Sequence, residues 1–353
     1  LLPLLSDSDP EIRAQAAKWL GDIRYGEAGA KLLPLLKDEA IRVRFFAAEA
    51  LGRIAYEPAI QPLIALLEAN NGEDVYIRHA GSLALARIGK AEPLITLAGH
   101  PSRAVRIAAV VALRRMQHPG VARFLDDQDE YVVTEAARAI GDDAYIEEAL
   151  PALGNVLNDP RFKSEALLRR AINANLWAGT ENSLQNLINY SLREGSPVAM
   201  RAEAVEALST WARPSVLDRV TGKYRGRVKR EPGPVRGKSA AALIRLLTHK
   251  ETALRLSAAR AIGKLEIAQG ASPLFARLKN DPRAEVRVEA LKALASMEHE
   301  QVGQAIEQAL SDREKSVRIA GLDLLPEMEL PNGLKASLLS NVIETRTAEE
   351  KQA

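Results

Sequence analysis

Residues 7–21 read DSDPEIRAQAAKWLG, and residues 38–52 read DEAIRVRFFAAEALG. Both stretches have an aspartate at the first position, an arginine six residues later, small residues after it and a closing Leu-Gly pair. Apolar residues recur in each at steps of three and four, which is the period of an amphipathic helix. Related phrases continue along the whole chain, so the sequence has the signature of a repeat protein.

Alignment of these phrases on the arginine gives ten repeats. Eight of the nine intervals between aligned positions are 27 to 36 residues long, which suits one helical hairpin, and the interval before Arg255 is 54 residues. Neither helix of a hairpin can bury its apolar stripe alone, so the hairpins are expected to stack around a continuous core. The predicted fold is all-α, an α-solenoid of about ten helical hairpins with one basic loop insertion. The aligned positions are Arg13, Arg44, Arg78, Arg106, Val133, Arg169, Arg201, Arg255, Arg287 and Arg318.

The shared phrase L-L-x-D-x-x-x-x-V-R-x-x-A-x-x-A-L-G resembles the HEAT repeat, in the short form that also occurs in phycobilin lyase subunits. This resemblance covers the whole chain, and it implies a structural ladder in which Asp and Arg side chains tie one repeat to the next. Asp127 belongs to the expected ladder, which should have a gap at Val133 because valine cannot form the ion pair. The other members are Asp7, Arg13, Asp38, Arg44, Arg78, Arg106, Arg169, Arg201, Arg255, Asp281, Arg287, Asp312 and Arg318.

Composition and motifs argue against catalysis in this segment. Apolar residues make up 47% and charged residues 27%, as in a soluble folded protein, and the absence of cysteine excludes disulfides and thiolate metal sites. No apolar run is long enough for a membrane span. The five histidines are scattered, and neither a glycine-rich phosphate loop nor a nucleophile elbow occurs. We therefore predict no enzyme activity, no metal site and no cofactor within the segment. Trp19 and Trp177 are expected in the core.

The long interval contains the insertion, residues 212–238. It carries nine basic and two acidic residues, a net charge of +7, whereas the whole chain carries +2. Its prolines and glycines predict an extended loop. The first part contains aromatic and apolar anchors and is expected to be ordered, with Asp218 paired to Arg219, Arg225 or a helix-end arginine. Residues 227–238 carry mostly charge, proline and glycine, and they are expected to be mobile.

Three interpretations of the insertion compete: a solvated linker, a contact for nucleic acid and a docking element for a protein domain. Basic clusters bind phosphates, but no basic stripe runs along the repeats and only Tyr224 lies among the charges, which disfavours nucleic acid. The mixture of aromatic, apolar and arginine residues is typical of protein interfaces and favours docking. The predicted partner-binding residues are Trp211, Arg213, Pro214, Leu217, Asp218, Arg219, Val220, Tyr224 and Arg225.

The pattern W-x-x-P-S-x-L-D-R-V-x-G-x-Y-R over residues 211–225 resembles an insertion in the HEAT region of large bacterial secreted dehydrogenases. The terminal stretch ETRTAEEKQA, residues 344–353, resembles the start of a connecting segment in the same family. The resemblance implies a quinoprotein-like β-propeller before the HEAT array, a c-type cytochrome domain after it, and a periplasmic or secreted location. Haem c and a quinone cofactor would then belong to neighbouring domains, since this chain contains no C-x-x-C-H haem site.

The expected organisation is a HEAT solenoid over residues 1–345 and the start of a linker over 346–353. Because the sequence opens with Leu1, we expect it to begin inside a larger protein. The predicted function is a non-catalytic scaffold or spacer that positions propeller and cytochrome domains. The alternatives are a freestanding adaptor that binds a separate protein on its concave face and, more distantly, a lyase or DNA glycosylase of HEAT fold.

Overall fold

A computed structural model describes residues 1–143, 145–297 and 302–345. Over these ranges the chain forms α-helices joined by short turns, many of them 3-10 helical, and contains no strand. The predicted all-α fold of stacked helical hairpins is therefore confirmed. The chain divides into two compact units, Leu1–Val156 and Leu157–Ala353. The expected single array over 1–345 remains a prediction, and the expected linker at 346–353 lies outside the described residues.

The first unit contains nine of the α-helices that the structure describes. In chain order they are α1 Pro10–Asp22, α2 Gly29–Leu32, α3 Ile41–Ile54, α4 Ile60–Asn70, α5 Val75–Ile88, α6 Ala91–Ile95, α7 Arg103–Arg115, α8 Glu130–Arg138 and α9 Leu150–Asn155. The 3-10 segments are Leu2–Ser6, Gly26–Ala28, Pro34–Lys37, Glu57–Ala59, Thr96–Gly99, Pro119–Asp126 and Glu147–Ala149, and a π-helical turn covers Ala139–Asp143.

The second unit contains ten α-helices over its described residues. They are α10 Glu165–Ala178, α11 Glu181–Leu192, α12 Val198–Ser209, α13 Gly233–Leu246, α14 Thr252–Leu265, α15 Ala271–Asn280, α16 Ala284–Ser296, α17 Val302–Leu310, α18 Lys315–Leu324 and α19 Asn332–Thr345. The 3-10 segments are Ala268–Gly270 and Leu325–Glu327, and Val156–Asn158 forms another between the last helix of the first unit and α10.

The first helix of a hairpin in the first unit is often short because proline interrupts it. Helix α2 ends at Leu32, and Pro34 opens a 3-10 turn because it has no amide N–H to continue the α-helical ladder. The second helices are longer and begin at defined caps. Asp9, for example, accepts the amide N–H of Glu11 at 2.8 Å before α1.

Successive second helices pack closely because small residues face each other between them. A Cβ atom added at Gly21 would lie 2.7 Å from the Cα of Ala50, and one added at Gly52 would lie 2.5 Å from the Cα of Ala84. The final glycine of the repeated phrase therefore permits backbone approach between α1 and α3 and between α3 and α5. Alanines and leucines of these helices form the buried core on either side.

Two sequence predictions need correction. The insertion does not extend to Lys238, because α13 begins at Gly233 and includes Pro234 in its first turn, where the missing N–H has no helical partner to lose. The connection between helices is therefore residues 210–232. Trp19 is not a core residue: its side chain lies on the outer surface of α1 and is 54% exposed, with the Lys18 ammonium 5.4 Å from its ring.

Candidate functional site

The insertion forms a short antiparallel turn over residues 216–225. The amide N–H of Arg225 donates to the carbonyl of Val216 at 2.8 Å, and that of Asp218 donates to the carbonyl of Lys223 at 2.8 Å. Leu217 and Tyr224 form the bridge pair. Gly222 has a φ of +71°, a left-handed conformation that glycine adopts without steric cost, and this allows the chain to reverse. The insertion hairpin, as we call residues 216–225, is thus a defined element.

A buried carboxylate holds the insertion hairpin together. Asp218 Oδ1 accepts the amide N–H groups of Val220 at 2.9 Å and Thr221 at 2.8 Å. Its Oδ2 accepts Asn173 Nδ2 from α10 at 2.9 Å and Arg225 Nε at 3.2 Å. The predicted pairing of Asp218 with an arginine is therefore confirmed, and the partner is Arg225. The same carboxylate also fastens the hairpin to helix α10.

The electrostatics of this carboxylate follow from its contacts. Burial alone would raise the pKa of Asp218, but the hydrogen bonds from the Thr221 amide, Asn173, the Val220 amide and Arg225 outweigh burial and hold the pKa below its ordinary value. Asp218 is therefore an anion in the folded protein at neutral pH, even though only 3% of its surface is exposed.

Arg230 is the second anchor of the insertion, and the sequence analysis did not identify it. Its Nη1 donates to the carbonyl of Trp211 at 2.8 Å, and its Nη2 donates to the carbonyls of Leu176 at 2.8 Å and Trp177 at 3.2 Å. Its guanidinium lies over the Trp211 ring, 4.9 Å from the ring centroid. The expectation that residues 227–238 are mobile is therefore wrong at Arg230, as it is within α13.

Four of the nine predicted partner-binding residues lie inside the insertion and do not offer a surface. Trp211 is 3% exposed beneath Arg230, so its prediction as an interface anchor is wrong: its ring packs within the chain. Pro214 and Asp218 are also buried, and only 10% of the Arg225 side chain is exposed. These residues order the loop, and a partner could not reach them without unfolding it.

The other five predicted residues are accessible. Tyr224 and Leu217 lie opposite each other in the bridge pair and are 70% and 50% exposed, and Arg213 is also exposed. Val220 and Arg219 are half-buried, and Arg219 lines a groove with residues of α10, α12 and α14. The groove already contains an ion pair between Arg169 Nε and Glu203 Oε2 at 2.9 Å. The exposed apolar contact area of the insertion is therefore the pair Leu217 and Tyr224.

The aspartate and arginine series forms cross-repeat ion pairs with one recurring geometry. Arg13 donates from Nε and Nη2 to the two carboxylate oxygens of Asp38 at 2.8 and 2.9 Å, and its Nη1 donates to the carbonyl of Asp7 at 2.8 Å. Asp38 in turn accepts the Ala40 amide N–H, which fixes the turn before α3. The hydrogen bond from Arg13 is the largest influence on the pKa of Asp38 and holds it below its ordinary value.

Three further arginines repeat this fork geometry, which we call a rung. Arg106 pairs with Asp127, with Nε to Oδ2 at 2.7 Å and a longer second contact of 3.5 Å. In the second unit the two rungs are bidentate and buried, and they join Arg255 to Asp281 and Arg287 to Asp312. Arg318 continues the series through its Nη1, which donates to the carbonyl of Asp312 at 2.8 Å. A planar guanidinium suits such bidentate contacts.

The register of these arginines comes from the helices. In nine repeats the aligned residue is the fourth of the second helix, but in α10 the fourth residue is Leu168, which is buried. Arg169 lies one position later and pairs with Glu203 of α12, so the structure does not bring it into the rungs. Val133 is also buried and forms no rung. The series is thus interrupted at these two successive repeats, and among the described residues the predicted ladder members Arg44, Arg78 and Arg201 also form no rung with an aspartate.

Two histidines take the position of the ladder aspartate, six residues before an arginine. His100 Nδ1 accepts the Ser102 amide N–H at 3.1 Å, and His249 Nδ1 accepts the Glu251 amide N–H at 3.0 Å. Each histidine therefore caps the turn as aspartate does, but an imidazole has no pair of carboxylate oxygens to accept a bidentate arginine. Their position six residues before Arg106 and Arg255 was the sequence signal that could have identified these two histidines as turn caps.

Arg201 has no aspartate to pair with in the next repeat, where His249 occupies the ladder position, and it bonds to other groups instead. It is 2% exposed, its Nε donates to the carbonyl of Ser191 at 2.9 Å, and its Nη2 lies 3.3 Å from Glu194 Oε1. The same glutamate oxygen lies 3.3 Å from His249 Nε2. Glu194 thus links the two repeats in place of a direct rung, and the coulombic influence of Arg201, with the His249 hydrogen bond, lowers its pKa.

Within the described ranges there is no group of three or more potential His, Cys, Asp or Glu metal ligands. No helix in those ranges is long and apolar enough to cross a membrane. Residues 1–76 match the sequence model for HEAT repeats, and residues 286–312 match the model for the PBS lyase HEAT-like repeat. Residues 1–76 and 286–312 are therefore similar to HEAT repeats.

Several solved structures are similar to this chain at low sequence identity. An engineered protein has 18% identity, with 99% of this chain and 95% of that chain covered and a TM-score of 0.35. The complex of CpcE and CpcF of phycocyanin lyase from Nostoc sp. PCC7120 has 24% identity over 59% of this chain and 85% of that chain, with a TM-score of 0.31. Importin beta has 14% identity over 99% of this chain and 55% of that chain, with a TM-score of 0.45. No curated protein sequence matches this chain.

Proposed function

We propose that this chain is a non-catalytic scaffold that positions partner protein domains, with the insertion hairpin as one contact surface. The observation that carries the proposal is the exposed pair Leu217 and Tyr224 on a hairpin that Asp218 fixes to the repeats. A tyrosine on a rigid element offers a large contact area and loses little conformational entropy on binding. Arg213, four residues before Leu217 in the sequence, is also exposed and adds a positive charge.

The partner domains that we propose are a quinoprotein-like β-propeller and a c-type cytochrome domain of a bacterial secreted dehydrogenase. The proposal is supported by the sequence pattern of residues 211–225 and by the terminal stretch 344–353, most of which lies outside the described residues. On this proposal the neighbouring domains hold the quinone and haem c, the location is periplasmic or secreted, and this segment contributes spacing and orientation.

The test begins with the coding sequence on either side of this segment. The proposal expects a propeller upstream and a C-x-x-C-H motif downstream. The two flanking domains, expressed separately, should then bind the 353-residue chain in a titration. Tyr224→Ala together with Leu217→Ser should weaken one of these affinities by about tenfold or more, as loss of an interface anchor does.

Tyr131→Ala is the matched control, because Tyr131 is also a half-exposed tyrosine but lies on α8 in the first unit. It should leave binding unchanged. Equal affinity of the Tyr224/Leu217 double variant and the unmodified chain for both flanking domains would contradict the docking proposal. Flanking sequence without a propeller or a haem motif would contradict the dehydrogenase assignment and leave the scaffold to be tested separately.

An exposed aromatic surface in the first unit favours a second candidate, a freestanding adaptor. Phe45 and Tyr76 meet edge to face with ring centroids 6.5 Å apart, and Tyr76 is 69% exposed. Phe46 lies beside them, with the Arg42 guanidinium 5.2 Å from its ring. Aromatic and arginine side chains of this kind are enriched at protein interfaces. An adaptor would bind a separate protein through these second helices, and flanking sequence without the two domains would favour it.

A further inference from the structure

The completed rungs show what an arginine of this series holds. In Arg13, Arg106, Arg255 and Arg287, the Nη1 atom donates to a backbone carbonyl of the preceding turn, while Nε and Nη2 face the next repeat and hold a carboxylate. The guanidinium is therefore fixed by its own turn before the carboxylate is added. Each rung is a preformed carboxylate-binding fork.

Arg44 has the backbone contacts of a rung but no carboxylate from the next repeat. Its Nη1 donates to the carbonyls of Asp38 at 2.7 Å and Glu39 at 3.1 Å, as in a completed rung. The next repeat has Gly72 six residues before its arginine, at the position that aspartate occupies in the completed rungs. Asn70 fixes the following turn instead. Its Nδ2 donates to the carbonyl of Asp74 at 3.0 Å, and its Oδ1 accepts the amide N–H of Asp74 at 3.2 Å. Among the described residues, no carboxylate oxygen lies within 4.0 Å of the Arg44 guanidinium.

A cavity of about 620 Å³ lies where the missing aspartate would be. Its apolar lining includes Leu36, Leu66 of α4 and Ile77 of α5, and Lys37 adds a second positive charge. Two carboxylates also line it. Asp74 Oδ1 accepts the amide N–H groups at the start of α5, from Tyr76 and Ile77 at 2.8 Å each, and Glu73 is exposed.

The next repeat has the same interruption. Arg78 is exposed, and over the described ranges it has no side-chain hydrogen bond or ion pair. His100 stands at the aspartate position that would face it, with Nδ1 occupied by the Ser102 amide and Nε2 4.0 Å from Glu68 Oε1. Two successive arginines of the first unit are thus without the carboxylates that the rung geometry holds.

We propose that Arg44 and Arg78 bind two carboxylates of an extended acidic peptide segment of a partner protein. Neighbouring packed helices lie about 8–10 Å apart, and a polyproline II segment advances about 9 Å in three residues, which are also one full turn. Acidic residues at positions i and i+3 of such a segment would therefore reach both arginines from the same face. An apolar side chain between them would enter the cavity beside Leu36. This site is independent of the insertion hairpin.

The test uses the full chain and a fluorescein-labelled peptide that repeats Glu-Pro-Leu, which places glutamate at every third residue and favours the extended conformation. Fluorescence polarisation at low salt should show saturable binding. A peptide with glutamine in place of every glutamate should bind at least about tenfold more weakly, because a hydrogen bond between two charged groups is roughly twice as strong as one between neutral groups. This comparison leaves the protein unchanged, so folding cannot affect it.

The protein variants distinguish specific carboxylate binding by Arg44 and Arg78 from nonspecific attraction between the peptide and positive surface charge. Arg44→Gln should raise the Kd of the glutamate peptide by about tenfold, and Arg78→Gln by about two- to fivefold because it is exposed. Arg115→Gln on α7 is the matched control, since Arg115 is exposed like Arg78 and over the described ranges has no side-chain hydrogen bond or ion pair, and its loss should change the Kd by less than about twofold. Arg78 makes no side-chain bond that folding requires, so its variant remains informative if Arg44→Gln fails to fold.

Three results would overturn the proposal. The first is equal binding of the glutamate and glutamine peptides. The second is a loss of affinity in Arg115→Gln as large as in Arg78→Gln, which would indicate a diffuse electrostatic attraction. The third is competition by a short DNA duplex at the same charge concentration as the peptide, which would assign these arginines to phosphates.

Discussion

Arg230→Ala should detach the insertion from the repeats while leaving the helices folded. The arginine donates to three carbonyls, and those of Leu176 and Trp177 belong to the last turn of α10, where carbonyls lack a helical partner. A hydrogen bond from a charged group contributes about 1.5–3 kcal/mol, and contact of a cation with the Trp211 ring adds about 0.5–1 kcal/mol. Because two of the carbonyls share one nitrogen and water can reach them after detachment, we expect a net loss of about 3 kcal/mol.

Limited trypsin digestion measures this loss directly. When opening and closing are fast, the cleavage rate follows the population of the open loop, so about 3 kcal/mol corresponds to cleavage about 100-fold faster between residues 213 and 229. Arg227→Ala is the matched control, because Arg227 is exposed and its loss removes one charge and one cleavage site. The cleavage rate of Arg230→Lys should lie between those of the unmodified chain and Arg230→Ala, because an ammonium keeps the charge but lacks the planar geometry of the guanidinium. Digestion of Arg230→Ala at the rate of the Arg227→Ala variant would refute the anchoring role.

Three other perturbations test the packing and electrostatics. Because the pKa of Asp218 is lowered in the folded protein, its ionised carboxylate stabilises the insertion above about pH 4, where an unfolded aspartate is also ionised. Protection of the insertion from a protease that is active in acid should be lost as the pH falls below that value. Asp218→Asn should remove this pH dependence. Gly52→Ala should lower the free energy of unfolding by about 1–3 kcal/mol in urea titrations, because the new Cβ would lie 2.5 Å from the Ala84 Cα. Arg287→Ala should cost about 3–5 kcal/mol by the same measurement, because it leaves the Asp312 carboxylate buried without its partner.

The sequence predicted a rung correctly only where the next repeat supplies the aspartate, and it was wrong at Arg44, Arg78 and Arg201, whose next repeats have Gly72, His100 and His249 at that position. An arginine at the fourth position of a helix lies over the preceding turn, and an aspartate two residues before a helix cap both fixes that turn and faces the neighbouring repeat. The alignment was wrong at Arg169 because two adjacent arginines were available there. Ser164, the residue before α10, was the signal that places Leu168 at the fourth position.

The insertion was less predictable because its burial depends on contacts between residues far apart in sequence. Trp211 is an aromatic residue in a basic loop, a pattern that suits either an interface or a buried anchor. Its burial depends on Arg230, which is 19 residues away and bonds to helix α10 at a separation of 54 residues. Nothing in the local sequence distinguishes Arg230 from Arg227. The exposure of Leu217 and Tyr224 likewise follows only once the turn at Gly222 is known.

The rungs also set a rule for how this array can change in length. In each completed rung the arginine bonds to the aspartate of the next hairpin, so the pairing requires only that the two hairpins are adjacent. Excision of residues 256–287, one whole repeat, would place Arg255 where Arg287 now stands, facing Asp312 across an unchanged turn. Removal of only half a repeat would place the Arg255 guanidinium beside the side of a helix, without a carboxylate to bind. Growth and loss by duplication or deletion are therefore restricted to whole-repeat steps wherever consecutive rungs are complete.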